Sequence, residues 1–135
     1  MSHNNEDRTV VVSDKAPKAI GPYSMAIKKE PFVFTSGQLG LDPVSGNLAE
    51  GGVEAETRQA LTNLGNILQA AGTSLANIVK TTVFLRDIND FARMNAVYGE
   101  FFTENPPARS AFQVAALPKG AAVEIEAVAA LPREN

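Results

Sequence analysis

Apolar and polar positions along the chain change their period four times, and each change predicts an element. After a polar N-terminal stretch, Val10–Val12 reads as a short strand. Ser24–Lys28 alternates apolar and polar side chains, and Phe32–Ser36 is β-branched and aromatic, so both read as strands. Between the first two strands, Pro17, Gly21 and Pro22 mark a loop, and Asp42-Pro43-Val44-Ser45-Gly46-Asn47 carries turn chemistry. From about Val53 to Ala71 the period becomes helical: Ala60, Leu61, Leu64, Ile67, Leu68 and Ala71 recur at three- and four-residue steps. Gly72 follows, where a left-handed C-cap is expected. Val79–Arg86 reads as a strand whose consecutive Val83, Phe84 and Leu85 predict burial on both faces. Asn89 or Asp90 suits the cap of a second helix with Phe91, Met94, Tyr98 and Phe101 or Phe102 at helical spacing, ended by Pro106 and Pro107. Arg109–Val114 and Val123–Ala129 read as the last strands.

The order strands, helix, strand, helix, strands predicts an α+β fold with a mixed sheet and two helices packed on one face. No internal repeat or second domain is visible, so residues 1–135 are expected to form one domain, with 1–8 as a flexible tail. Two helices cover one face of a sheet. The other face, near Phe84, then calls for a covering partner, most economically a second copy of the chain.

Composition narrows the chemistry. At 135 residues, 44% hydrophobic and 20% charged, the chain has ordinary globular proportions. It contains no cysteine, and its one histidine, His3, falls in the expected tail. Thiolate and Ser-His-Asp chemistry and the usual metal-ligand sets are thereby disfavoured, and with no phosphate-binding glycine loop neither a metal nor an organic cofactor is expected. A net charge of −3 and a pI near 5.1 give no basic bias toward nucleic acid. No apolar run reaches the ~20 residues of a membrane span. The N-terminus has neither a secretory apolar core nor an Arg-rich transit pattern, so a cytoplasmic location is expected, with mitochondrial association left open.

Gly21-Pro22-Tyr23-Ser24, Thr35-Ser36-Gly37-Gln38-Leu39-Gly40, Pro107-Ala108-Arg109-Ser110 and Glu124-Ile125-Glu126-Ala127 together resemble the RidA/YjgF family. The stretches 79–83, 87–91 and 113–120 are similar to it as well, and the match is collinear from Ala16 to Ala129. The resemblance implies a chorismate-mutase-like fold and a homotrimer with active sites between subunits. It further implies hydrolysis of 2-iminopropanoate and 2-iminobutanoate, released by pyridoxal-phosphate-dependent serine and threonine dehydratases, to 2-keto acids and ammonia.

On this resemblance Arg109 and Glu124 are the catalytic candidates. A planar guanidinium can hold the carboxylate of a small 2-imino acid with two charge-assisted bonds, fixing the neighbouring imine carbon. Glu124 matches a residue proposed to orient or deprotonate the attacking water. Two residues apart on one strand, Glu124 and Glu126 point to one sheet face, and Glu126 is expected to make a structural contact. Tyr23, Ser36, Gly37 and Asn95 match substrate-binding positions, though Tyr23 is as readily a loop anchor and Gly37 a bend. Many family members carry a cysteine two residues after the arginine. Here Ala111 stands in that place, so its backbone is expected to serve the site and thiol regulation is lost. The short Asn105-Pro106-Pro107 connection can alter the pocket rim.

Two other readings compete. A small-acid sensor or chaperone-like trimer would keep Arg109 without needing Glu124. A ribonuclease or translation inhibitor conflicts with the acidic pI and the absence of a core histidine or metal-ligand cluster.

Overall fold

The computed structural model describes residues 8–133, so His3 and nearly all of the expected tail lie outside the described residues. Arg8, assigned to that tail, instead opens the first strand, where it pairs with Lys29. The strands are β1 (Arg8–Val11), β2 (Ala26–Lys29), β3 (Phe32–Thr35), β4 (Gln38–Leu39), β5 (Ile78–Leu85), β6 (Ala108–Gln113) and β7 (Val123–Ala130). The helices are α1 (Gly52–Ala71) and α2 (Phe91–Phe101). One sheet runs β1-β2-β3-β7-β5-β6, with the two-residue β4 also pairing with β7. Every pairing is antiparallel except β5 with β6, so the sheet is mixed as expected.

Helix α1 buries its predicted stripe of Ala60, Leu61, Leu64, Ile67 and Leu68 completely, against helix-facing Val33, Val83, Leu85, Val123 and Ile125. Its end is the expected one: Gly72 takes a left-handed φ of 94°, which a side chain would resist, and donates to Gln69. Buried Glu56 on α1 accepts a 2.8 Å bond from the Ala122 amide, anchoring the entry to β7. Asn63 donates to the carbonyls of Leu39 and Leu41, tying the β4 segment to the same helix. Helix α2 stops at Phe101, several residues before the prolines expected to end it. Asp90 is its N-cap residue but makes no capping bond; Asp87 caps the short turn before it by accepting from the Asn89 amide.

The sheet has one covered and one open face. In β5, Thr81, Val83 and Leu85 are buried, whereas Phe84 on the opposite side is only half-buried. Burial of the Val83–Leu85 run on both faces is therefore incomplete within one chain. Phe84 meets Phe112 edge-on at 5.4 Å, and Phe32 meets Phe34 at 6.3 Å, with Phe32, Phe34 and Phe112 all exposed. Such an aromatic patch on a sheet face is unusual on a protomer that works alone.

Candidate active site

The expected site residues fall into two groups. The first forms where β3 gives way to β4. Ser36 donates its hydroxyl to the Ser24 carbonyl at 2.6 Å and its amide to Met25 at 2.8 Å, clasping the Gly21–Met25 loop to the strand end. Tyr23 sits on that loop, half exposed, its hydroxyl 3.5 Å from the Ile20 amide and its ring against Gly21. It both anchors the loop and forms a wall of the adjoining cavity.

Glu124 reaches the same place from β7, where it pairs with Leu39 of β4 and Phe84 of β5. Its carboxyl lies over Gly37: a Cβ on residue 37 would fall 2.8 Å from Glu124 Cδ, with Oε2 closer still. Only glycine leaves room for the acid to approach the backbone there. A cavity of about 840 Å³ opens above this group, lined by Tyr23, Ser36, Gly37, Glu124 and Glu126 together with Met25, Leu41 and Lys119. Burial pushes the Glu124 carboxyl above the ordinary glutamate range, and the charge of Glu126 pushes it the same way. Glu126 has no hydrogen-bond or ion-pair partner among the described residues, so the structural contact expected of it is missing; it faces the cavity instead. The Asp42–Asn47 turn closes one wall, its Asp42 side chain accepting from the amides of Val44 and Ser45.

The second group is centred on Arg109 in β6, at the edge of the sheet. Its Nη1 donates to Asn95 Oδ1 at 2.7 Å, and its guanidinium carbon lies 4.8 Å from the Tyr98 ring centre and 5.4 Å from that of Phe91. No acid among the described residues pairs with it, so its charge is uncommitted. Ala111, two residues on, is half-buried on the same side, and the edge position leaves one side of the β6 backbone without a strand neighbour. Phe91 and Tyr98 read from sequence as part of the apolar stripe of α2; their spacing from Asn95 was the available sign that they also face Arg109.

The two groups do not meet within one chain. Arg109 aligns with Thr81 and Ala127, on the helix-covered face. Glu124 aligns with Phe84 and Phe112, three residues along and therefore on the open face. With β5 between their strands, strand spacing and rise put their Cα atoms roughly 14 Å apart before the side chains diverge. A substrate with four carbons cannot touch both.

A family model described as Endoribonuclease L-PSP matches residues 13–131. The 2-iminobutanoate/2-iminopropanoate deaminase of Bos taurus is 57% identical over 122 residues, covering 90% of this chain and 89% of that protein. Among solved structures, RidA from Psychrobacter sp. PAMC 21119 is similar with a TM-score of 0.88 at 46% identity, covering 91% of this chain and 99% of that one. E. coli TdcF with bound serine has a TM-score of 0.88 at 42% identity, covering 92% and 99%.

Proposed function

The chain belongs to the RidA/YjgF family, whose model is described as Endoribonuclease L-PSP, and on that premise we propose that it hydrolyses 2-iminopropanoate and 2-iminobutanoate to 2-keto acids and ammonia. Arg109 carries the reading: a guanidinium held by a neutral amide and two rings, with no acid among the described residues to neutralise it, suits a small carboxylate. Serine, the ligand of the similar TdcF, has the same carboxylate on a short carbon frame.

Glu124 supplies the proton handling. As water oxygen adds to the imine carbon, Glu124 takes a proton from it and returns it to nitrogen, giving a carbinolamine. Glu124 then takes the carbinolamine hydroxyl proton and delivers it to the amino nitrogen as the carbon–nitrogen bond breaks, so that the carbonyl forms and nitrogen departs as ammonia. One water is consumed, one ammonia released, and no oxidation state changes. A carboxyl whose pKa is raised by burial and by Glu126 holds its proton more readily than an ordinary glutamate, which suits a group that must both take and return one. Tyr23, Ser36 and Gly37 bound the pocket on the Glu124 side, and Asn95 with the backbone at Ala111 bounds it on the Arg109 side.

In this reading the site forms between subunits, with Glu124 of one copy facing Arg109 of the next. Two different patches meeting head to tail close into a ring. The expectation of three copies that comes with the family resemblance supports a three-membered ring, and the open face bearing Phe34, Phe84 and Phe112 offers the apolar contact area. Light scattering should then give about three times 14.3 kDa. An enzyme that clears reactive imines belongs beside the dehydratases that release them, in the cytoplasm. Ribonuclease action fits less well, because Asp42, Glu124 and Glu126 line the cavity and repel a phosphate backbone.

The test is a coupled assay in which a threonine or serine dehydratase generates the imine in situ. Ammonia and keto acid should appear faster than by spontaneous hydrolysis, in proportion to added protein. Tight keto-acid binding without acceleration would instead establish the sensor reading.

A further inference from the structure

An anchor for substrate must itself be held still. An arginine has four rotatable bonds, and one hydrogen bond to Asn95 fixes a single point of its fork. The remaining restraint comes from rings. Tyr98 lies 4.8 Å beneath the guanidinium carbon and Phe91 flanks it at 5.4 Å. Tyr98 is itself immobilised: its hydroxyl is 2.7 Å from Thr81 Oγ1 and its ring packs 4.6 Å from Phe102. Thr81 is fully buried and is the register partner of Arg109 across β5 and β6. The ladder that carries the arginine thus also carries the hydroxyl that locks the ring beneath it.

We propose that Tyr98, with Phe91 beside it, is a positioning residue that sets the plane of the Arg109 guanidinium, so that the donors not used by Asn95 meet a 2-imino acid carboxylate in one orientation. This rests on the deaminase reading above. A ring face favours a cation over it and restricts the guanidinium to a plane, while the Asn95 bond restricts its rotation within that plane. Neither ring needs to touch substrate. The effect passes through Arg109 alone.

Tyr98→Leu removes the ring and should raise KM on the order of tenfold, the range a partly desolvated cation–π contact spans. Tyr98→Phe keeps the ring and loses only the bond to Thr81; it should melt earlier, as Tyr98→Leu does, yet restore most of KM. Phe91→Leu, at the less buried ring, should raise KM severalfold and keeps the test available if Tyr98→Leu does not fold. In an Arg109→Lys background, Tyr98→Leu or Phe91→Leu should add little further loss. Binding of 2-oxobutanoate measured by calorimetry should follow the same order as KM, independently of turnover. Unchanged KM and unchanged 2-oxobutanoate affinity in folded Tyr98→Leu or Phe91→Leu would overturn the positioning role while leaving the deaminase reading intact. KM that tracks melting temperature rather than the presence of the ring would overturn it too. Wild-type protein that neither accelerates imine hydrolysis nor binds 2-oxobutanoate would overturn both.

Discussion

Replacing Gly37 with alanine adds one methyl group where the Glu124 side chain now lies. The new Cβ would fall 2.8 Å from Glu124 Cδ and 3.0 Å from Cγ, with Oε2 nearer still. Relaxed carbon contacts sit at about 3.5–4.0 Å, so the carboxyl has to retreat by roughly 1 Å. The φ of Gly37 lies outside the left-handed region, so alanine brings no backbone strain. The obstacle is the movable end of a half-buried side chain rather than backbone, and stability should fall by less than about 1 kcal/mol. Catalysis is far less tolerant: a misplacement of about 1 Å can cost on the order of a hundredfold. Gly37→Ala should therefore melt near the wild-type temperature while kcat on dehydratase-generated 2-iminobutanoate drops steeply. Adding Gly37→Ala to Glu124→Gln should cost little more, because both act on one group. A folded Gly37→Ala protein with wild-type kcat would refute the reasoning and move water activation away from Glu124.

Arg109→Lys keeps the charge but loses the two-point fork; losing one charged hydrogen bond should reduce kcat/KM about ten- to a hundredfold, and Arg109→Ala should approach the spontaneous rate with the fold intact by circular dichroism. Because burial and Glu126 raise the Glu124 pKa, activity that needs its carboxylate should fall as pH drops through a value above the ordinary glutamate range. Glu126→Gln should move that acid limb downward. The raised pKa also means that the stability Glu124 contributes when protonated is lost as pH rises through it, so Glu124→Gln should not lower the melting temperature at neutral pH even as turnover falls. Finally, Arg109→Ala and Glu124→Gln subunits refolded together in equal amounts should regain about a quarter of the sites of a head-to-tail ring. No recovery on mixing would count against a site shared between copies.

Much of the architecture is written in local periodicity. The α1 stripe, the αL glycine at 72 and the strands around Phe32, Val83 and Ile125 each follow from patterns contained within one element. So does the shared face of Glu124 and Glu126, since parity along a single strand is a local property. The two-residue β4 escapes because Gln38 and Leu39 are too few to display a period, although they carry the backbone that Glu124 pairs with. The exposure of the sheet face at Phe84 is likewise unreadable from the Val83–Leu85 run, because what lies over a sheet depends on distant segments.

The face of Arg109 relative to Glu124 is a different kind of quantity. Each side chain's direction along its own strand is set by parity, but their mutual arrangement depends on the register of β6 on β5 and of β5 on β7. One residue of slip in β6 would turn Arg109 to the open face, on the same side as Glu124, and bring Ser110 under Phe91 and Tyr98. Several contacts resist that slip. Phe112 would leave Phe84, the Gln113 side chain would lose the Ile88 amide it accepts from at 2.8 Å, and Arg109 would lose both rings and Asn95. The register therefore keeps Arg109 and Glu124, the proposed anchor and proton shuttle, on opposite faces of one chain. If, as proposed, the two halves meet between copies across the open face, a mutation such as Phe34→Ser or Phe84→Ser should diminish catalysis even though it touches no residue of either half.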